Sequence, residues 1–138
     1  MPNHYHLLIG INQAAEASAS VSTAMMQLSV SYTKAVNRRY DRVGPLFQGP
    51  FRAVHVDRNE YLLHLSRYIH LNPVTAGLVQ RPEAWEFSSY LDYIGLRDGT
   101  LPSPEIVLSQ FPNRSAYQAF VMSYTESDQD VIAHLMLD

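Results

Sequence analysis

The stretch Asp57-Arg58-Asn59-Glu60-Tyr61-Leu62-Leu63-His64-Leu65-Ser66-Arg67-Tyr68-Ile69-His70-Leu71-Asn72-Pro73 decides the fold. Tyr61, Leu62, Leu65, Tyr68 and Ile69 recur at intervals of three and four, the spacing of one face of a helix. Asp57 stands before them with Glu60 three residues on, so the spacing predicts a helix opened by a capping box. Pro73 ends or kinks it near Leu71 and Asn72, because proline has no N–H to give the preceding turn. Tyr68 and Asn72 are four apart and therefore share a face. A phenol oxygen there could serve as a nucleophile and an amide oxygen beside it as a metal ligand. The same spacing equally describes a tyrosine packed in the core and an asparagine that caps the helix.

Before this helix, Phe51 to Val56 alternates as a strand does, with Phe51, Ala53 and His55 on one side and Arg52, Val54 and Val56 on the other. Phe51 reads as a core residue. Gly44, Pro45, Gly49 and Pro50 break the chain into a loop around Leu46, Phe47 and Gln48. Further back, Val21, Met25, Leu28, Tyr32 and Val36 mark an amphipathic helix over residues 20 to 40, with Lys34, Arg38 and Arg39 in the last turns, where the helix dipole favours cations. His4, Tyr5, His6, Leu7, Leu8, Ile9, Gly10 and Ile11 read as a short buried strand. In a strand, period two turns His4 and His6 to one face, a two-ligand platform for a metal. Read alone, the pair is also an ordinary surface feature with no metal.

Beyond Gly77 the chain turns aromatic and acidic, with helical stretches around 104 to 111 and 114 to 124. With 138 residues the chain suits one domain, or one with an appendage. No cysteine is present, which excludes disulfides, thiolate metal sites and cysteine nucleophiles. The apolar runs are far shorter than the roughly 20 residues of a membrane helix, so a soluble cytoplasmic protein with no membrane partner is expected. The net charge of -3 is an average of unlike halves. Residues 1 to 81 hold eight of the ten basic residues against four acids, and residues 82 to 138 hold two against nine. The basic half is a modest footprint for phosphate. Lys34, Arg38, Arg39, Arg42 and Arg52 are the candidate phosphate contacts, each also readable as a solvated surface cation. Tyr40, Phe47 and Phe51 lie among them and could stack on unpaired bases. His55, His64 and His70 have no partner at metal spacing that competes with His4 and His6, and His70 reads as structural.

Three segments carry a resemblance: Met1-Pro2-Asn3-His4-Tyr5-His6-Leu7-Leu8-Ile9, then Gly44-Pro45-Leu46-Phe47-Gln48-Gly49-Pro50-Phe51-Arg52, then Tyr61-Leu62-Leu63 with Ser66-Arg67-Tyr68-Ile69-His70-Leu71-Asn72-Pro73-Val74-Thr75-Ala76-Gly77-Leu78-Val79. In order and spacing they resemble the REP-associated tyrosine transposases, single-tyrosine members of the HUH superfamily that act on single-stranded DNA. The likeness covers about residues 1 to 95, with weaker echoes at Trp85, Ser88-Ser89-Tyr90 and Tyr117. It implies an α+β fold, a ferredoxin-like antiparallel sheet packed with helices, with residues 1–80 as catalytic core and 81–138 as a helical acidic extension. It implies that His4 and His6 are metal ligands, that Asn72 is a polar third ligand and that Tyr68 is the nucleophile. The cation would be Mg²⁺ or Mn²⁺ and the partner single-stranded or hairpin DNA. Chains of that family carry a further strand and helix before the Met-Pro-Asn-His segment. The expectation is therefore of a chain short at its front: a fragment, the product of a start codon misplaced at an internal methionine, or a form that repairs its sheet as a homodimer.

The expected activity is that of a transposase-like endonuclease and strand transferase working through a 5′-phosphotyrosine. Its main rival is a catalytically silent remnant that binds DNA hairpins without cutting. A metal-dependent hydrolase built on the histidine pair is a third reading. It needs an acid near the site, and the nearby Asp57 and Glu60 already serve to open the helix.

Overall fold

The computed structural model describes residues 4–11 and 17–136. Six α-helices run through it: α1 (Ala17–Tyr40), α2 (Asn59–Thr75), α3 (Tyr90–Tyr93), α4 (Glu105–Leu108), α5 (Arg114–Met122) and α6 (Glu126–Ile132). Single 3-10 turns lie at Pro82–Ala84 and Ala133–Leu135. The described residues form two compact units, one of Met1–Leu8 with Val54–Asp138 and the other of Ile9–Ala53. No described helix is long and apolar enough to cross a membrane.

The expected ferredoxin-like antiparallel sheet is not seen: among the described residues there is no strand. Residues 4–11 and 51–56 run without regular structure. Tyr5, Leu7, Ile9 and Ile11 are each about half exposed, and Phe51, expected in the core, is exposed as well. Alternation states which face a strand would bury, but a strand exists only when a neighbour satisfies its N–H and C=O groups. No strand neighbour for these two segments stands among the described residues.

In the larger unit α2 is the hub, with α4, α5, α6 and the Pro82–Ala84 turn packed on it. Tyr90, Tyr93, Val107, Tyr117 and Val121 form the buried centre, against which Leu62, Leu63, Leu71, Phe111 and Phe120 pack. Rings dominate this core, with Tyr117 in contact with Tyr93, Phe111 and Phe120 at centroid separations of 5.2, 5.2 and 6.3 Å. Such tilted and edge-on pairs suit the ring quadrupole and add to the area they bury.

The ends of α2 depart from the sequence reading. Arg58, extended at φ -132°, is the N-cap and no side chain caps the helix. With the start displaced by one residue, Glu60 no longer falls three beyond the cap, and the Asp57–Glu60 box does not form. Pro73 does not end the helix at Leu71 or Asn72: it lies inside α2, in the last turn, and α2 continues to Thr75. The helix stops instead where Gly77 enters the left-handed region at φ +69°. There Gly77 N–H bonds Val74 O and Leu78 N–H bonds Pro73 O, both at 2.9 Å, the paired closure of a Schellman motif. The later helices carry their own caps. Asn113 accepts from Ala116 N–H at 2.8 Å to start α5, and Thr125 and Asp128 make a capping box that starts α6.

In the Ile9–Ala53 unit, α1 matches the periodic stretch read from the sequence. Met25 is buried, while Leu28 and Tyr32 of the same face remain exposed. Tyr32 meets the Phe47 ring at 6.2 Å, and the Asn37 amide donates to Gly44 O at 2.9 Å, tying the following loop back to the helix.

Candidate active site

Residues 4–8 and α2 belong to the same unit, and the site lies where they meet. The His4 and His6 rings stand edge to face at 5.0 Å. His6 faces the Tyr68 ring at 5.8 Å. Asn72, one turn beyond Tyr68, donates from Nδ2 to His6 Nε2 at 3.3 Å. Asn72 is buried, His6 and Tyr68 are half-buried and His4 is exposed. The hydrogen bond requires the free lone pair of His6 to be on Nε2 and its proton on Nδ1.

The opposite side of α2 fixes how the helix presents Tyr68 and Asn72. Arg67, 2% exposed, donates to Phe120 O at 3.1 Å and to His64 Nδ1 at 2.9 Å, and pairs with Asp128 of α6. Its guanidinium lies over the Phe120 ring at 4.2 Å and the Tyr124 ring at 5.3 Å. His70, three residues on, is buried among Tyr90, Tyr93 and Tyr117. A directed chain of hydrogen bonds passes through it. Ser66 Oγ donates to Leu63 O at 2.8 Å and accepts from Tyr117 OH at 3.2 Å. The Tyr117 oxygen then accepts from His70 Nδ1–H at 2.7 Å, and His70 Nε2 accepts from Ser89 Oγ at 3.0 Å. Burial lowers the pKa of His70 from 6.5 to about 3, only weakly opposed by the charge of Asp92, so the ring is neutral. Burial likewise pushes the Tyr117 phenol far above its ordinary range.

Sequence reasoning placed His4, His6, Tyr68 and Asn72 on two separate elements, and the structure brings His6, Tyr68 and Asn72 together, with His4 beside His6. Lys34, Arg38, Arg39, Arg42 and Arg52 lie in the other unit, all exposed. Arg39 lies over the exposed Tyr40 ring at 5.8 Å. Arg67 was missed as a structural residue, having been counted only among the basic charges. The signal was present: an arginine and a histidine three apart inside an apolar stripe must find buried partners.

The chain matches no model of a known protein family, no curated protein and no solved structure. The donor set can be tested for a metal on its own geometry. Two donors at about 2.1 to 2.3 Å from a shared cation and at right angles lie roughly 3.0 to 3.3 Å apart. The His6 Nε2 to Asn72 amide separation of 3.3 Å fits, the amide oxygen being the end that would turn to a cation. His6 and Asn72 are thus near enough to share a divalent cation, and His4 stands beside His6.

Proposed function

We propose that the chain is a DNA strand transferase whose nucleophile is Tyr68, acting on single-stranded DNA that carries a hairpin or palindrome. The observation that supports it best is the meeting of His6, Tyr68 and Asn72 at one place although His6 and Asn72 are 66 residues apart. The resemblance of the three sequence segments supplies the reaction.

Tyr68 Oη attacks the scissile phosphorus as the bond from phosphorus to the 3′ oxygen breaks. The phenol gives up its proton, the 3′ oxygen gains one through solvent, and a 5′-phosphotyrosine remains. One phosphodiester replaces another, so the 3′-hydroxyl of a second end can reverse the step without ATP. His4, His6 and Asn72 would hold Mg²⁺ or Mn²⁺, whose Lewis acidity would polarise the scissile phosphate. Arg67 and His70 hold α2 so that Tyr68 is presented to that phosphate. Lys34, Arg38, Arg39, Arg42 and Arg52 contact the backbone, and Tyr40 offers a ring for an unpaired base.

The silent hairpin-binding remnant has one observation in its favour. His4 is exposed, whereas catalytic groups need to be held within about 0.5 Å. Incubation with a hairpin-bearing single strand and Mn²⁺, followed by a denaturing gel, separates the readings. The enzyme yields a protein band shifted by covalent DNA, and Tyr68→Phe removes that band while leaving native binding within about twofold. An adduct that survives Tyr68→Phe places the nucleophile elsewhere, and binding without any adduct favours the remnant.

A further inference from the structure

Tyr32, on α1, is 55% exposed. A lone exposed tyrosine is ordinary on a protein surface, but this one is held in place. Its ring meets that of half-buried Phe47 at 6.2 Å with the planes 31° apart, nearer parallel than edge-on. The two rings therefore offer one aromatic surface, of which Tyr32 is the open part. The Phe47 loop is in turn tied to α1, because the Asn37 amide donates to Gly44 O and Arg42 N–H donates to Asn37 O, both at 2.9 Å. A ring whose orientation is already set loses little further freedom when another ring stacks on it.

The charge around this surface is of one sign. Lys34, Arg38, Arg39 and Arg42 are all exposed, and the Ile9–Ala53 unit holds five basic residues against two acids. Arg39 follows Tyr32 by seven residues, so it shares the Tyr32 face two turns on, about 10.5 Å along the axis. Its guanidinium lies over the Tyr40 ring at 5.8 Å. An aromatic surface in line with a guanidinium matches a polyanion that carries planar groups along its length: rings take bases and cations take phosphates. A second copy docking this face on itself would instead bring like charge against like.

We infer that Tyr32, backed by Phe47, stacks on one unpaired base of the bound single strand, with Arg39 on a phosphate farther along α1. This rests on the reading of single-stranded DNA as the partner and not on the chemistry at Tyr68. Stacking accepts any base, so the contact supplies affinity and fixes where the strand lies rather than which base it carries.

The test uses the full chain carrying Tyr68→Phe, so that no covalent adduct accumulates, and reads binding by fluorescence anisotropy. The probes are a hairpin-bearing oligonucleotide and a series of the same strand with one abasic site moved along its unpaired segment. Tyr32→Ala is expected to weaken binding of the intact strand about tenfold. The slope of log affinity against log salt should not change, because the ring neutralises no phosphate. At one abasic position the substitution is expected to cost nothing further, the non-additivity that marks two groups in contact. Tyr32→Leu, which keeps an apolar contact for Phe47 but has no ring, should repeat both results, and Tyr32→Trp should restore binding. A loss of equal size at every abasic position would assign Tyr32 to holding the Phe47 loop and overturn the inference. An unchanged affinity would overturn it too, as would an effect confined to oligomeric state on gel filtration, which gives the face to a second copy. Each of these outcomes leaves the strand-transfer reading standing, since the covalent adduct formed with Tyr68 intact reads that separately. A chain that binds no oligonucleotide would overturn both.

Discussion

His70 shows how a residue close to the site in sequence can belong to a different part of the molecule's physics. It stands two residues after Tyr68, roughly 200° around the helix, and so points away from it. Its ring is neutral because burial lowers its pKa from 6.5 to about 3, and its tautomer is set by the chain that ends on Leu63 O. The consequence for stability has a definite sign. Below about pH 6.5 the unfolded chain takes up a proton at His70 and the folded chain does not, so stability falls as the pH drops toward 3. The expected slope is about 1.4 kcal/mol per pH unit across that window, with a plateau above pH 7. Asp92, whose pKa is lowered chiefly by its hydrogen bond from Arg97, adds a further loss at the acid end. Urea midpoints measured from pH 4 to 8 check this: His70→Gln should flatten the decline above pH 4, and an unchanged decline would assign it to other groups.

At the scale of elements, α2 serves two faces at once. One presents Tyr68 and Asn72, and the other is gripped by α5 and α6 through Arg67 and His70. Asp128 both opens α6 through its capping box and neutralises the buried Arg67. Asp128→Ala is therefore expected to cost about 3 kcal/mol, the low end for breaking a buried pair, since Asp128 itself is partly exposed. Chemical denaturation measures it. A further change of Arg67→Met should restore part of the loss, because it removes the charge left without its partner. Of these elements, α1 and α2 are legible from their apolar periods, and α4 and α5 fall within the helical stretches expected at 104 to 111 and 114 to 124. The start of α2 was not legible, because Asp57 matched a capping box in spacing while the chain begins its helix after Arg58. The grip on α2 was not legible either, since nothing local pairs Arg67 with a residue 61 positions later.

For the whole molecule, the division of charge matters more than its sum. The Ile9–Ala53 unit holds Lys34, Arg38, Arg39, Arg42 and Arg52 against Glu16 and Asp41. If this unit carries the backbone contacts proposed above, replacing Arg38 and Arg39 together by alanine removes about two phosphate contacts. The slope of log affinity against log salt should then lessen by roughly 1.4, at about 0.7 for each contact on a single strand. Anisotropy titrations at several salt concentrations read that slope, and an unchanged one would remove these arginines from the interface. The sequence by itself determined the residue types at the site, the helices that carry long apolar periods and the uneven charge, because each depends only on residue identity and near neighbours. Only the tertiary structure decided that residues 4–11 form no strand, that Pro73 stays within α2, and that His6 meets Tyr68 and Asn72. Each of these depends on a partner distant in the chain or on its absence among the described residues, and a hydrogen bond or buried contact exists only when both partners are in place.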